Sequence, residues 1–212
     1  MEARLSGVRL ILIRHGRTTS NQDFRLDTAQ PGADLDELGK QQARQLVDKM
    51  AAYPIEAIFA STLVRTQQTA APLANSLNLT ITVLPGLREV SAGVEEMSSD
   101  ATNYVKMMQS WKAGDLTQQI PGGENAIDFL TRFDLAVAQI ATSGVKTAAL
   151  FSHGAALRAW SWVRIAGFTE EIGDGLVKNT GFIVADGDQE LGWKLHRLEG
   201  VHIPAAYLPN RK

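Results

Sequence analysis

The 212-residue chain contains no cysteine. This absence excludes disulfide bonds, thiolate metal sites and cysteine nucleophiles, and it fits a reducing compartment. The chain also lacks an excess of either charge, since 21 Lys and Arg stand against 23 Asp and Glu, for a formal net charge of −2. Binding to nucleic acid or to anionic membranes generally requires a basic surface, so we expect neither partner.

Long hydrophobic runs are missing as well. The apolar stretch before Arg14 is too short to span a bilayer, and no small-residue cleavage site follows it. We therefore interpret this stretch as a strand and predict a cytoplasmic protein. No internal repeat, low-complexity segment or Pro/Ser/Gly-rich linker divides the sequence. We expect a single domain over residues 1–212.

Short apolar or β-branched segments alternate with amphipathic segments along the chain. The pattern predicts strands at 8–13, 55–61, 79–84, 146–152, 180–186 and 192–198, and helices at 36–52, 63–77, 101–113, 124–142 and 155–167. Pro72 is expected to kink or end the second helix. The alternation predicts an α/β fold of three layers, a mostly parallel central sheet with helices on both faces.

Cationic and imidazole side chains follow three of the predicted strands. Arg14 and His15 follow the first strand, Arg65 comes one helical turn after the second, and His153 follows the strand at 146–152. Ligands of such sheets bind beyond the carboxyl ends of the strands. We therefore expect these four side chains to meet at one edge of the sheet. A glycine after each histidine allows the backbone to turn sharply there.

Two guanidinium and two imidazole groups at one edge suit a phosphoryl group. A guanidinium offers a planar fork of donors that matches two phosphate oxygens and stays charged at neutral pH. Phosphoryl transfer depends mostly on positioning and on neutralising charge. A neutral imidazole among cations is a competent nucleophile. Glu89, shortly after the third strand, is a candidate acid for the leaving oxygen.

The segments that carry these residues resemble those of the histidine phosphatase superfamily, which has a phosphoglycerate mutase-like fold. The resemblance extends over nearly the whole chain. LIRHGRTTSN (12–21) is similar to the Arg-His-Gly signature of the family, and LFSHGAALRA (150–159) is similar to its second-histidine segment. Five further segments resemble family patterns: GADLDELGKQQA (32–43), STLVRTQQTA (61–70), LREVSAGVEE (87–96), PGGEN (121–125) and KNTGF (178–182). The first two segments are specific on their own, and the seven together make a chance match very rare.

The resemblance implies a role for each residue at the strand ends. His15 would be the nucleophile that becomes phosphohistidine. Arg14, Arg65 and His153 would form the phosphate pocket, and Asn21 would be a further phosphate contact. His153 would thereby take part in catalysis as well as in binding.

The resemblance also implies an acid and the absence of a metal. Glu89 would protonate the leaving group and then activate water. No metal and no cofactor is expected, because side chains supply the positive charge and no carboxylate cluster indicates magnesium. The expected partners are a small phosphorylated substrate and its product, inorganic phosphate, and the sequence leaves a homodimer open. The other histidines, His196 and His202, are given no role in the site.

Departures from the family pattern concern residues near the signature. Arg17 stands where glutamate is common, and Asp36 stands in place of threonine. A solvated Arg17 is favoured over a cation at the mouth of the pocket. Glu124 and Arg132 are expected to form a structural pair around the 121–125 loop.

Three functions remain open: a phosphatase, a phosphoglycerate mutase and a phosphate-binding protein without turnover. Mutases of the resembled family carry a long insertion before the PGGEN loop, whereas segment 90–120 is short and has Lys106 and Lys112 as its cations. A less sealed site should lose its phosphoryl group to water, so a phosphatase is favoured. Loops 22–34 and 94–120 are expected to select the substrate, and apolar residues in 104–111 indicate an apolar wall for the leaving group.

Overall fold

Strands and helices alternate in the computed structural model, which describes residues 7–168 and 177–201. The strands are β1 (Val8–Arg14), β2 (Ala57–Ala60), β3 (Ile81–Val83), β4 (Thr147–Ser152), β5 (Ile165–Ala166), β6 (Val177–Asp188) and β7 (Gly192–Val201). The helices are α1 (Thr19–Gln22), α2 (Glu37–Met50), α3 (Val64–Leu77), α4 (Thr102–Lys112), α5 (Ala126–Ala141) and α6 (Gly154–Arg164). In these two ranges, no helix has the length and apolar character needed to cross a membrane.

The seven strands form one mixed sheet in the order β3-β2-β4-β1-β6-β7-β5. Strands β3, β2, β4 and β1 pair in parallel, and β5 pairs in parallel with β7. Strand β6 runs antiparallel to both of its neighbours, β1 and β7. The prediction of a mostly parallel sheet is confirmed, and both antiparallel pairs involve β6.

Helices cover both faces of the sheet, and the alternation of side chains along β1 shows how. Leu10 and Leu12 point into an apolar cluster that contains residues of α4, α5 and α6. Ile11 and Ile13 point the other way, into a second cluster with residues of α2 and α3. All four side chains are fully buried. A strand that is covered on both faces has apolar residues at successive positions, as the sequence of β1 does. The three-layer prediction is therefore confirmed.

Two helix boundaries differ from the prediction because tertiary contacts override local signals. Helix α6 ends at Arg164, before the expected position 167, because Ile165 and Ala166 pair in parallel with β7. Helix α3 continues through Pro72, which was expected to kink or end it. Leu73 and its buried neighbours pack against the sheet on either side of the proline, and this packing holds the segment helical.

The carboxyl ends of the three central strands lie at one level. Arg14 of β1 is in register with Ser152 of β4, and the N–H of His15 donates to the carbonyl oxygen of Ser152 at 3.1 Å. The N–H of Ser61, just after β2, donates to the carbonyl oxygen of Phe151 at 3.1 Å. The residues that follow β1, β2 and β4 therefore emerge side by side at one edge of the sheet.

Two glycines allow α2 to pack against the end of β1. A Cβ atom on Gly39 would lie 2.0 Å from the carbonyl oxygen of Arg17, and one on Gly16 would lie 2.7 Å from the carbonyl oxygen of Gly39. Both obstacles are backbone atoms, which cannot rotate away. The N–H of Gly16 donates to the hydroxyl of Thr69 at 2.9 Å. This close approach fixes the backbone next to His15.

We predict that Gly39→Ala destabilises the protein by about 2 kcal/mol or more, because the added methyl group must displace backbone. The free energy of unfolding in urea measures the effect. Lys40→Ala, at the adjacent exposed position, is the control. It removes only a surface ion pair with Glu37 and should leave the free energy of unfolding nearly unchanged. Equal effects of the two substitutions would show that the glycine contact does not constrain the fold.

Candidate active site

His15 lies at the centre of the predicted site, directly after β1, with 2% of its surface exposed. Its Nδ1 lies 2.7 Å from the carbonyl oxygen of Gly16, and its Nε2 lies 3.1 Å from Nε of Arg65. A carbonyl oxygen only accepts and a guanidinium nitrogen only donates. Nδ1 therefore carries the ring proton, and Nε2 presents an unprotonated lone pair.

His153 lies beside His15, with the two ring centroids 5.2 Å apart, and it is fully buried. Its Nε2 lies 2.8 Å from the hydroxyl of Ser61, which also accepts the N–H of Leu63 at 3.2 Å. The Ser61 hydroxyl can donate to Nε2, which leaves the ring proton on Nδ1. No described residue accepts a hydrogen bond from this Nδ1, although it is buried.

Burial keeps both imidazoles neutral. Removal from water lowers the pKa of His15 and of His153 well below 6.5, because the charged ring loses its hydration. The positive charge of Arg65 lowers both pKa values further. An unprotonated Nε2 on His15 is thus the stable state near neutral pH.

The two predicted arginines each offer a buried donor without an acceptor. Arg14 donates through Nη1 to the carbonyl oxygen of Val177 at 2.6 Å, and Arg65 donates through Nη2 to the carbonyl oxygen of Asp27 at 2.6 Å. Among the described residues, no hydrogen-bond partner exists for Nε of Arg14 or Nη1 of Arg65, and both atoms are buried. Buried donors are normally satisfied. Together with His153 Nδ1, these atoms are three buried donors whose hydrogen bonds the described residues do not satisfy.

Asp27 is a site residue that the sequence analysis missed. Its carboxylate is 7% exposed, with Oδ1 3.4 Å from Nη1 of Arg65, so it partly balances that guanidinium. The loop that carries Asp27 is fixed by Glu96, whose carboxylate accepts the N–H of Thr28 at 2.9 Å. Ser61 is a second such residue. The sequence analysis has it only as the last residue of the predicted strand 55–61, whereas its hydroxyl contacts His153. Loop 22–34 has no periodicity, so nothing in the sequence singled out Asp27.

Glu89 lies at the first turn of α6, next to the pocket. Its Oε1 accepts the N–H groups of Val90 at 2.9 Å and of Ala156 at 2.7 Å, whereas Oε2 accepts only the N–H of Ala155 at 3.2 Å. Its negative charge opposes the lowering of the pKa of Arg14 that burial causes. Glu89 thus has one anchored oxygen and one oxygen with free capacity beside the cations.

The predicted pair of Glu124 and Arg132 is present and holds the segment of Glu89. Arg132 donates through Nε to Oε2 of Glu124 at 2.8 Å and through Nη2 to the carbonyl oxygen of Glu89 at 2.8 Å. Glu124 also accepts the N–H of Ser91 at 3.0 Å. The pair therefore fixes the backbone on both sides of Val90.

Asn21 is connected to His15 through a second asparagine. Oδ1 of Asn21 accepts from Nδ2 of Asn179 at 3.1 Å, and the same Nδ2 donates to the carbonyl oxygen of His15 at 3.0 Å. Asn179 lies in β6, in the segment KNTGF (178–182), which resembles a family pattern but for which the sequence predicts no contact with the site. The phosphate contact of Asn21 stays a prediction, with its Nδ2 as the available donor.

The two departures from the family pattern meet in one ion pair. Nε of Arg17 donates to Oδ2 of Asp36 at 2.6 Å, and 35% of the Arg17 side chain is exposed. The other carboxylate oxygen of Asp36 caps α2 by accepting the N–H of Gly39 at 2.7 Å. Arg17 is therefore partly solvated and paired with Asp36, and the structure does not offer it as a free cation for the pocket.

The other histidines lie elsewhere. His196 lies on β7, with Nδ1 3.3 Å from Oδ2 of Asp186, whose carboxylate also pairs with Arg9 near the amino end of β1. His202 lies outside the described residues. Within residues 7–168 and 177–201, no group of three or more His, Asp or Glu side chains is arranged to hold a metal ion.

Residues 10–199 match the sequence model of the histidine phosphatase superfamily, branch 1. The chain belongs to this superfamily. It is 34% identical over 220 aligned residues to the PE-PGRS family protein PE_PGRS11 of Mycobacterium tuberculosis, in an alignment that covers 93% of the chain but only 37% of that longer protein. It is 32% identical over 155 residues to the "Probable phosphoglycerate mutase GpmB" of Enterobacter sp. (strain 638), covering 71% of each protein.

Solved structures show the same fold. A mycobacterial glucosyl-3-phosphoglycerate phosphatase in complex with VO3 superposes with a TM-score of 0.71 at 23% identity, covering 89% of this chain and 97% of that one. A phosphoglycerate mutase from Thermus thermophilus superposes with a TM-score of 0.66 at 26% identity, covering 91% and 98%. The fold is thus phosphoglycerate mutase-like, and the superfamily's phosphatases and mutases support an enzymatic role for the chain.

We predict that the buried histidines make stability depend on pH. In the unfolded chain each imidazole binds a proton near pH 6.5, whereas in the folded protein the lowered pKa keeps it neutral. The unfolded state therefore binds more protons below pH 6.5, and stability falls as the pH falls. From pH ~7.5 to pH ~5.5, wild type should lose roughly 1 kcal/mol more of its free energy of unfolding than His153→Gln. Denaturant titrations at several pH values measure this, and parallel profiles would contradict the neutral assignment.

Proposed function

We propose that the chain hydrolyses small phosphomonoesters through a phosphohistidine at Nε2 of His15, without a metal ion. The observation that carries the proposal is the set of three buried donors without acceptors, one each on Arg14, Arg65 and His153. The oxygens of a phosphoryl group accept hydrogen bonds and carry the charge that develops during transfer. The two guanidinium groups supply the positive charge that a metal supplies in other phosphoryl-transfer sites.

In the first step, Nε2 of His15 attacks phosphorus. A bond forms between this nitrogen and phosphorus, and the bond from phosphorus to the ester oxygen breaks. In the free protein Arg65 donates to the Nε2 lone pair at 3.1 Å. A bound phosphate would compete for the donors of Arg65 and release the lone pair. Glu89 in its protonated form gives its proton to the departing oxygen.

In the second step, water releases the phosphoryl group. Glu89, now a carboxylate, takes a proton from water, whose oxygen attacks phosphorus. The nitrogen–phosphorus bond breaks, inorganic phosphate leaves, and Nε2 of His15 is again unprotonated. Oε2 of Glu89 suits both proton transfers, because Oε1 is held by two N–H groups and Oε2 by a single longer hydrogen bond.

A phosphoglycerate mutase is the alternative that the comparisons keep open, since one relative carries that name. A mutase must return the phosphoryl group to a glycerate and exclude water. Segment 90–120 is short and contains two lysines and no arginine, against four acidic residues, so it is poorly suited to close over a glycerate and exclude water. This charge balance favours hydrolysis. Interconversion of 2- and 3-phosphoglycerate that outpaces the release of phosphate would replace the proposal with a mutase.

We predict that His15→Ala lowers phosphate release from phenyl phosphate by at least roughly 1,000-fold near neutral pH, in buffer with EDTA, because the nucleophile is gone. Wild type, quenched during turnover, should carry an acid-labile phosphoryl group on the peptide that contains His15. The matched control is His196→Ala, an exposed histidine outside the pocket, which should keep wild-type activity. Wild-type activity that depends on added metal ions would refute the metal-independent mechanism.

We predict that Glu89→Gln separates the two steps. With a poor leaving group such as phenol, phosphorylation of His15 should slow by about 100-fold or more, because the oxygen leaves without a proton. With 2,4-dinitrophenyl phosphate, a stopped-flow burst of dinitrophenol should persist, followed by slow turnover, because water is no longer activated. Equal slowing of the first turnover for both substrates would remove Glu89 from the acid role.

A further inference from the structure

A groove of about 360 Å³ lies between α4, α5 and α6. Its walls are largely apolar, and its lining residues include Val105, Met108, Leu116, Leu130, Trp162 and Val163. Two cations, Lys112 and Arg158, also line it, and none of its described lining residues is acidic. An apolar groove that contains the guanidinium of Arg158 favours a ligand that has an apolar body and a negative charge.

One face of α6 connects this groove to the catalytic pocket. Ala155 in the first turn donates its N–H to Glu89 at 3.2 Å. Arg158 and Trp162 follow Ala155 at spacings of three and seven residues, which places all three on the same side of the helix. Arg158 and Trp162 line the groove, whereas Ala155 lies at the end of α6 that contacts the proposed acid. The groove therefore begins about one helical turn from Glu89.

Arg158 is the feature that indicates the charge of the ligand. It is half-buried, and in the described part of the chain it has neither an ion-pair partner nor a hydrogen-bond acceptor. By contrast, Arg132 pairs with Glu124, and Arg164 on the same helix pairs with Asp134 at 2.7 Å. A guanidinium in an apolar groove without a carboxylate partner is suited to an anionic group of a ligand.

The charge of Arg158 also reaches the catalytic pocket. Burial is the main cause that lowers the pKa of Arg14, and the positive charges of Arg65 and Arg158 lower it further. An anion bound at Arg158 would therefore lie near the phosphoryl site without occupying it. Trp162, whose ring lies 4.5 Å from the ammonium of Lys112, is one turn farther along the groove.

Resting on the function proposed above, we propose that this groove binds the leaving group of the substrate. The substrate class is a phosphomonoester of a hydroxy acid with an apolar chain. Its phosphoryl group lies at His15, its carboxylate pairs with Arg158, and its chain packs against Trp162 and Val163. Phosphoglycerates, which have the carboxylate but no apolar chain, would fill only part of the groove.

Four phosphomonoesters test the two features separately: β-phosphonooxydecanoate, decan-3-yl phosphate, β-phosphonooxybutyrate and butan-2-yl phosphate, all below micelle-forming concentrations. Within each pair of equal length, the carboxylate should raise kcat/KM of wild type by about tenfold. Between pairs, the longer chain should raise kcat/KM by at least about tenfold. Because each readout is a ratio within one protein, a general loss of activity does not affect it.

Three variants test which residues cause the two increases in kcat/KM, called here the carboxylate advantage and the chain-length advantage. Arg158→Gln should reduce the carboxylate advantage to about twofold or less and keep the chain-length advantage. Trp162→Leu should reduce the chain-length advantage and keep the carboxylate advantage, because it removes apolar contact area and leaves the guanidinium of Arg158 in place. The matched control is Arg164→Gln, which removes an arginine of the same helix that is paired with Asp134 outside the groove. It should keep both advantages.

The outcomes separate the inference from the proposed function. Wild type that hydrolyses all four esters with similar kcat/KM remains a phosphatase but overturns the inference. Wild type that hydrolyses neither these esters nor phenyl phosphate overturns both. If Arg158→Gln fails to fold, competition in wild type gives the answer. β-Hydroxydecanoate should inhibit phenyl phosphate hydrolysis about tenfold more strongly than decan-3-ol, and equal inhibition would refute the role of Arg158.

Discussion

The central constraint on this structure is the burial of proton-donating groups whose hydrogen bonds the protein itself does not satisfy. Arg14, Arg65 and His153 each keep a buried nitrogen without a hydrogen-bond acceptor among the described residues, and Nε of Arg65 donates to Nε2 of His15. Asp27 and Glu89 supply negative charge near the two guanidinium groups. Buried donors without acceptors are costly in a protein interior. The free protein thus contains donors that a negatively charged ligand would satisfy.

The rest of the fold keeps these groups in place. Three strand ends at one level position the cations and imidazoles, and close contact between Gly16 and Gly39 fixes the backbone beside His15. Two carboxylates of surrounding loops, Glu96 and Glu124, accept backbone N–H groups and tie those loops to the pocket. Preorganisation of this kind is the main contribution of a protein to phosphoryl transfer, because the chemistry requires position and charge.

Sequence reasoning succeeded where the signal was local. The apolar run of β1 and the His-Gly steps after β1 and β4 placed both imidazoles at one sheet edge, as the structure shows. It failed where distant residues decide the outcome. Pro72 does not break α3, because its neighbours are packed on the sheet, and α6 ends at Arg164, because the next two residues pair with β7.

The sequence by itself determined the α/β order of elements, the edge where the site lies and the residue types that the chemistry requires. Each follows from periodicity or from residues close together in the chain. Only the tertiary structure decided which nitrogen of His15 is unprotonated, which carboxylate balances Arg65 and where Arg17 points. These depend on partners such as Asp27 and Asp36, which approach across loops without periodic pattern. The direction of a hydrogen bond and the burial of a side chain depend on the groups that surround it in the folded protein, so the identity of the residue alone does not determine them.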